Sequence, residues 1–160
     1  MSNRRDGGRP IARAAGHARW FDDVRVGDEL PSLIVHPDTR QLVMYAGASG
    51  DFVPIHYDKD IAQAAGHTGV IIHGALKSAW LARLVTDWTG DAGWMREFSV
   101  QYRGVDYPGE QKVCRGRVVG KRIEDGVGLV DLELGLEDAS GTVTTPARAV
   151  VELPRREVLG

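Results

Sequence analysis

The chain has 160 residues, of which 42% are hydrophobic and 26% are charged, and its formal net charge is −2. This size and composition are typical of one soluble globular domain with its own core. The single cysteine, Cys114, excludes an internal disulfide and a zinc site built on paired cysteines. No apolar stretch reaches the ~18 residues that cross a bilayer. No secretory signal opens the chain, so we expect a cytoplasmic protein with no membrane partner.

Charge is distributed unevenly along the chain. Residues 1–19 hold five arginines against one aspartate, whereas the rest holds 15 basic and 21 acidic residues. We predict that 1–19 is a flexible basic arm, that 20–154 form a single domain and that 155–160 are a short tail. A nucleic-acid partner is not expected, because the acidic body would repel a phosphate backbone.

The first half of the domain is predicted to be mainly helical. A short strand at 29–35 precedes a helix that Asp38 or Thr39 caps and that glycines 47 and 50 end. A loop stiffened by Pro54 follows, then a short helix over 58–65, where Asp58 supplies a favourable N-terminal charge. From 73 to 88, apolar residues recur every three or four positions in a wide stripe, which predicts a long helix in the core. Trp80 and Trp88 belong to that stripe.

The second half changes to a period of two. Alternating apolar residues predict strands at 98–102, 113–119, 130–136 and 143–153, and Pro146 indicates a bulge or an edge position in the last one. One strand, then helices, then strands joined by short turns indicate an α+β fold with an antiparallel β-sheet packed on one long helix. A sheet wrapped around a central α-helix is the hotdog arrangement, which this order allows.

Reactive side chains are concentrated around residues 50–56 and 73–74. Asp51 and His56 lie on a Pro-containing loop, where both side chains can turn toward one point and share a water molecule for general acid–base work. Gly74 stands at the start of the long helix, where unpaired backbone N–H groups and the helix dipole can hold negative charge on a carbonyl oxygen. This set suits addition or removal of water beside a carbonyl group.

Several segments also resemble a known family. Residues 49–58 read SGDFVPIHYD, similar to the motif S-G-D-x-N-P-[LIV]-H-x-D of the MaoC-like (R)-specific enoyl-CoA hydratases and acyl dehydratases. IHG at 72–74, FDDVRVGD at 21–28 and YPGE at 107–110 resemble further segments of that family, in the same order. The resemblance extends over about 20–153.

The resemblance implies a hotdog fold and hydration of a trans-2-enoyl thioester to an (R)-3-hydroxyacyl thioester, or the reverse dehydration. Asp51 and His56 match the catalytic pair, and Gly74 matches the residue whose N–H polarises the thioester carbonyl. His73 stands beside it, as a substrate-site residue or as a buried residue that supports the catalytic ones. No metal or redox cofactor is implied, the acyl carrier being coenzyme A or an acyl carrier protein. A homodimer or a heteromer with another hotdog subunit is expected.

Two positions depart from the family pattern. Val53 replaces the usual Asn, and Ala82 stands where some members have a Ser. These changes leave open an alternative function, a non-catalytic or weakly active subunit that shapes the acyl pocket of a partner dehydratase. Lys77, Arg103 and Arg115 are interpreted as solvated charges, and Cys114 as an inert apolar residue.

Overall fold

The computed structural model describes residues 19–156. The helical elements are a 3₁₀ turn at Phe21–Asp23, α1 at Thr39–Ser49, a second 3₁₀ turn at Pro54–His56, α2 at Lys59–Ala64 and α3 at Gly74–Thr89. The strands are β1 at Leu33–Val35, β2 at Trp94–Val100, β3 at Lys112–Glu124, β4 at Val127–Glu137 and β5 at Val143–Leu153. The predictions for residues 1–18 and 157–160 lie outside the described residues.

The five strands form one antiparallel sheet in the order β1-β3-β4-β5-β2. In β4, buried residues alternate with half-buried ones along the whole strand, as the period of two predicted. The buried face of the sheet and the wide apolar stripe of α3, including Trp80 and Trp88, form one core. The predicted α+β fold, with the sheet packed on a long central helix, is therefore confirmed.

The strand bounds differ from the prediction where the backbone is irregular. Pro31, which has no N–H to donate, interrupts the first predicted strand, so that β1 begins only at Leu33 and Glu29 makes an isolated bridge. Strand β2 begins at Trp94, earlier than the predicted start at 98. A bulge between Met95 and Glu97 breaks the apolar alternation, so the period of two did not indicate this first part of the strand.

Of the two explanations predicted for Pro146, a bulge or an edge position, the edge position is wrong. Strand β5 lies between β4 and β2. The bulge offered as the other explanation is present two residues earlier, where Leu136 pairs with Thr145 and Glu137 pairs with Val143, leaving Thr144 unpaired in the register. The carbonyl of Pro146 still accepts a hydrogen bond, from the backbone of Gln101 at 2.9 Å.

Lys77 is buried, so its interpretation as a solvated charge was wrong. Its Nζ lies 2.8 Å from Oδ2 of Asp106 and 2.9 Å from the carbonyl oxygen of Gly104. Thr144 donates to the same carboxylate oxygen at 2.7 Å, and Lys112 lies 3.3 Å from the other one. Buried charges require such partners, and these ones fix the segment after β2 against the first turns of α3.

Cys114 is fully buried in β3, and burial raises the pKa of its thiol to about 12. This agrees with its interpretation as an inert apolar residue. Within the described part of the chain, no helix has the length and apolar character needed to span a bilayer.

Two glycines provide a test of the packing. A Cβ on Gly128 would lie 2.6 Å from Cγ of Phe21, whereas a Cβ on Gly47, in the exposed face of α1, would meet nothing within 4 Å. We expect Gly128→Ala to lower the free energy of unfolding by about 1–3 kcal/mol through overpacking. Gly47→Ala should raise it by roughly 0.5–1 kcal/mol through helix propensity. Urea unfolding of both variants measures this, and equal effects would contradict the described packing around Phe21.

Candidate active site

The loop that carries Asp51 begins where α1 ends. Gly50 adopts a left-handed conformation with a φ of 76° and closes the helix by donating to the carbonyl of Ala46. Asp51 follows directly, and its Oδ1 accepts the backbone N–H of Val53 at 3.4 Å. This bond does not depend on the side chain at 53, so replacing the family's Asn by Val leaves it in place.

His56 lies on the one-turn 3₁₀ helix that Pro54 begins. Its Nδ1 lies 2.8 Å from the carbonyl oxygen of Ile71. Because a carbonyl only accepts, Nδ1 must carry the hydrogen, and a neutral ring then has its lone pair on Nε2. That Nε2 lies 4.0 Å from Oδ2 of Asp51, whose side chain is 38% exposed. The two predicted catalytic groups therefore face one another beside solvent.

His73 is fully buried behind this pair. Its ring stacks on that of His56, with centroids 3.8 Å apart and planes 19° apart, and Tyr45 meets its edge at 5.0 Å. Its Nε2 lies 3.4 Å from the carbonyl oxygen of Asp51. Burial lowers the pKa of His73 and His56 adds to the shift, while Asp51 opposes it. His73 thus contacts both candidate catalytic residues, and its predicted contact with a substrate stays a prediction.

Gly74 is the first residue of α3, immediately after His73. The first N–H groups of a helix have no acceptor within it, and the helix dipole makes this end positive. A Cβ on Gly74 would lie 3.2–3.3 Å from three carbons of the Tyr102 ring, so a side chain here would require the ring to shift by a few tenths of an ångström. The turn that precedes α3 is held by the N–H of Ile72, which donates to the carbonyl of Asp106 at 2.9 Å.

Asp51, His56 and His73 also form a group whose candidate metal-ligand atoms lie within 4.8 Å of one another. The two imidazole rings are stacked and nearly parallel with centroids 3.8 Å apart, however, so their in-plane lone pairs lie in separate planes. Lone pairs that bind one metal ion must instead point to a common position. The observed arrangement fits two stacked rings with separate hydrogen bonds better than a metal centre.

The structure brings the four predicted site residues together, and it adds two that sequence reasoning did not find. Ser78 lies one turn after Gly74, a spacing that places both on one face of α3 and that offered a signal. Tyr102 comes from the segment after β2, and nothing in its sequence neighbourhood indicates that it reaches Gly74. Ala82 is half-buried one turn beyond Ser78.

Comparison with known proteins matches residues 33–139 to the MaoC-like domain family. Among curated proteins, the chain is 28% identical over 132 residues to the 3-oxo-4,17-pregnadiene-20-carboxyl-CoA hydratase beta subunit of Mycobacterium tuberculosis, covering 82% of this chain and 97% of that one. It is also 37% identical over 95 residues to the fatty acid synthase beta subunit TOXC of Cochliobolus carbonum, of whose length it spans only 4%.

Two solved structures share the fold. The (R)-hydratase from A. caviae, described as involved in PHA biosynthesis, superposes with a TM-score of 0.75 at 20% identity, covering 82% of this chain and 98% of that one. The ChsH1-ChsH2 complex from Mycobacterium tuberculosis contains a chain with a TM-score of 0.72 at 24% identity, with coverage of 81% and 98%. These likenesses confirm the hotdog fold. Since the family model also matches about two thirds of the sequence, this chain belongs to the MaoC-like dehydratase family.

Proposed function

We propose that this protein is a hydro-lyase that adds water to a trans-2-enoyl thioester, forming an (R)-3-hydroxyacyl thioester, or catalyses the reverse dehydration. The observation that carries the proposal is the pairing of Asp51 with the lone-pair nitrogen of His56 at 4.0 Å. Membership of the MaoC-like family and the hydratase name of the mycobacterial relative support the same reaction class.

The geometry of the pair suits one bound water. Two acceptors 4.0 Å apart can each take a hydrogen bond of about 2.8 Å from the same molecule. During hydration, the water oxygen forms a bond to C3 of the enoyl group while the pair removes one of its protons. The pair then delivers a proton to C2, so that it ends in its starting protonation state. Because Asp51 and His56 act as a coupled unit, both steps belong to the pair.

The negative charge that develops on the thioester oxygen requires a donor, and we assign this role to the N–H of Gly74, the first residue of α3. An oxygen at this helix end benefits from a fixed donor and from the helix dipole, which need no reorganisation during the reaction. The addition transfers only a proton and a hydroxyl group, so the proposed reaction requires no redox cofactor. In the proposed mechanism Asp51 and His56 transfer the protons and Gly74 polarises the carbonyl, without a metal ion. His73 supports the site by stacking on His56 and reaching the carbonyl of Asp51.

Coenzyme A is the proposed acyl carrier, because the mycobacterial relative, which matches 82% of this chain, is named as the hydratase of a CoA ester. The matches to fatty acid synthase subunits favour a second candidate, dehydration of a substrate on an acyl carrier protein.

A third candidate, the non-catalytic subunit, is favoured by Val53 and Ala82. The intact contacts of Asp51 and His56 support the enzyme over that subunit.

We also propose that a second hotdog chain, identical or different, covers the mouth of the site. Phe52 and Val53 beside the site are 61% and 49% exposed, which leaves apolar surface next to the reactive pair that a second chain would bury. The similar chain in the ChsH1-ChsH2 complex and the subunit names of the relatives support an assembly of this kind.

Replacement of each member of the Asp51–His56 pair tests the proposed reaction. We expect Asp51→Asn and His56→Ala to fold and to lower turnover by about 10²–10⁴-fold, the usual contribution of general acid–base catalysis. Loss of enoyl absorbance with crotonyl-CoA and with a bulkier enoyl-CoA measures turnover. Asp60→Asn, which changes an exposed carboxylate on α2, is the matched control and should keep the wild-type rate.

Either folded variant remaining near the wild-type rate would show that the proposed mechanism is wrong. If the folded wild-type protein leaves both substrates unchanged, the hydratase proposal fails for CoA esters. The next substrate would then be an enoyl group on an acyl carrier protein, and the next search would be for a co-purifying hotdog chain.

The lowered pKa of His73 predicts a pH-dependent stability. As the pH falls below about 6.5, the unfolded chain binds a proton at this residue before the folded one does. The contribution of neutral His73 to the stability of the fold is therefore complete above about pH 6.5, and it is lost as the pH falls toward the folded-state pKa. We expect the free energy of unfolding, measured in urea between about pH 7.5 and pH 5, to fall more steeply with decreasing pH in wild type than in His73→Asn. The two slopes should differ by at most about 1.4 kcal/mol per pH unit. Identical slopes would contradict a buried neutral His73.

A further inference from the structure

A tyrosine next to Gly74 has no part in the reaction as proposed. Three carbons of the Tyr102 ring lie 3.2–3.3 Å from the place that a Cβ on Gly74 would occupy, and the side chain is 54% exposed. The Tyr102 ring thus borders the start of α3, where the thioester carbonyl is proposed to bind. Cζ is one of the three carbons, so the hydroxyl oxygen, one bond farther on, also lies near Gly74.

The hydrogen bonds of Ser78 determine which way this hydroxyl points. The Oγ of Ser78 lies 3.3 Å from the carbonyl oxygen of Gly74 and 2.5 Å from the hydroxyl oxygen of Tyr102. A carbonyl only accepts, so where Ser78 bonds to Gly74 its single hydrogen is directed there, and Tyr102 donates its own hydrogen to Ser78. The oxygen of Tyr102 then keeps lone pairs at the exposed surface, which can accept a hydrogen bond from a ligand.

The position of Tyr102 is fixed by its neighbours along the chain. The N–H of Arg103 donates to the carbonyl of Thr144 at 3.0 Å, and the buried ammonium of Lys77 donates to the carbonyl of Gly104 at 2.9 Å. The backbone on this side of Tyr102 is thus tied to β5 and to α3. The hydroxyl itself is hydrogen-bonded to Ser78, so this acceptor loses little side-chain freedom when a ligand binds, which favours recognition.

We propose that the hydroxyl oxygen of Tyr102 accepts the first amide N–H of the carrier arm of the thioester. In coenzyme A and in the prosthetic group of acyl carrier proteins alike, two methylene groups separate the thioester sulfur from this amide nitrogen. With the thioester carbonyl at Gly74, the amide is the nearest N–H donor in the substrate. This inference rests on the proposed function, and it makes Tyr102 a specificity-determining residue for the carrier.

Two small thioesters separate this role from a structural one. The first is the crotonyl thioester of N-acetylcysteamine, and the second is the analogue in which an ester oxygen replaces the amide N–H. We expect wild type to prefer the amide by about 3- to 10-fold in kcat/KM, the range for one neutral hydrogen bond. The preference should lie in KM, with kcat similar, because the amide does not change during the reaction.

Tyr102→Phe keeps the ring over Gly74 and removes the acceptor, so we expect it to treat the two thioesters alike. Tyr107→Phe is the matched control and should keep the wild-type preference. A purely structural effect of the Tyr102 substitution would lower both rates and leave their ratio unchanged. An unchanged preference in folded Tyr102→Phe, or no preference in wild type, would overturn the proposal.

Binding of unreactive thioesters distinguishes this proposal from the proposed function. The saturated butyryl thioesters, with the amide or with the ester arm, can be titrated by NMR whether or not the protein hydrates enoyl groups. Stronger binding of the amide by wild type alone, without turnover of crotonyl thioesters, would support the Tyr102 contact and contradict the hydratase. Equal binding of both arms by wild type and Tyr102→Phe would overturn the contact.

Discussion

The hydrogen bond between Nδ1 of His56 and the carbonyl of Ile71 determines which nitrogen of the ring faces Asp51. With the hydrogen held at 2.8 Å by a backbone acceptor, the lone pair of the neutral ring is left on the side of the carboxylate. The stacked ring of His73 keeps His56 in this plane. Were Nε2 to carry the hydrogen instead, it would donate to Asp51, and the pair would no longer present two acceptors to one water.

The fold provides this bond by bringing three chain segments to one end of the long helix. The loop after α1 carries Asp51, the Pro54 turn carries His56, and the extended segment before α3 carries the Ile71 carbonyl and His73. The last of these is held by the backbone of Asp106, whose side chain also pairs with the buried Lys77. An ion pair deep in the protein thus stabilises the same turn that places Gly74.

Periodicity and local motifs predicted most of this fold. The features that they did not predict depend on contacts between residues that are distant in the sequence. The α3 stripe and the alternation in β4 followed from burial on one face. Asp38, one of the two residues predicted to cap α1, does so, and Asp58 lies at the N-terminus of α2 as predicted, where it is the cap. The burial of Lys77 was missed, because only the folded chain brings Asp106 next to it. Tyr102 was missed for the same reason. The roles of Asp51, His56 and Gly74 stay predictions, although the structure places these residues together.

The tautomer of His56 tests the proposed pairing with Asp51 most directly. Long-range ¹H–¹⁵N spectra of the histidine rings, recorded well above pH ~6.5 and assigned with His56→Gln, distinguish a protonated ring nitrogen from one with a free lone pair. We predict that His56 carries its hydrogen on Nδ1 and that His73 carries its hydrogen on Nε2. A hydrogen on Nε2 of His56 would contradict this pairing, because the nitrogen that faces Asp51 would then be a donor.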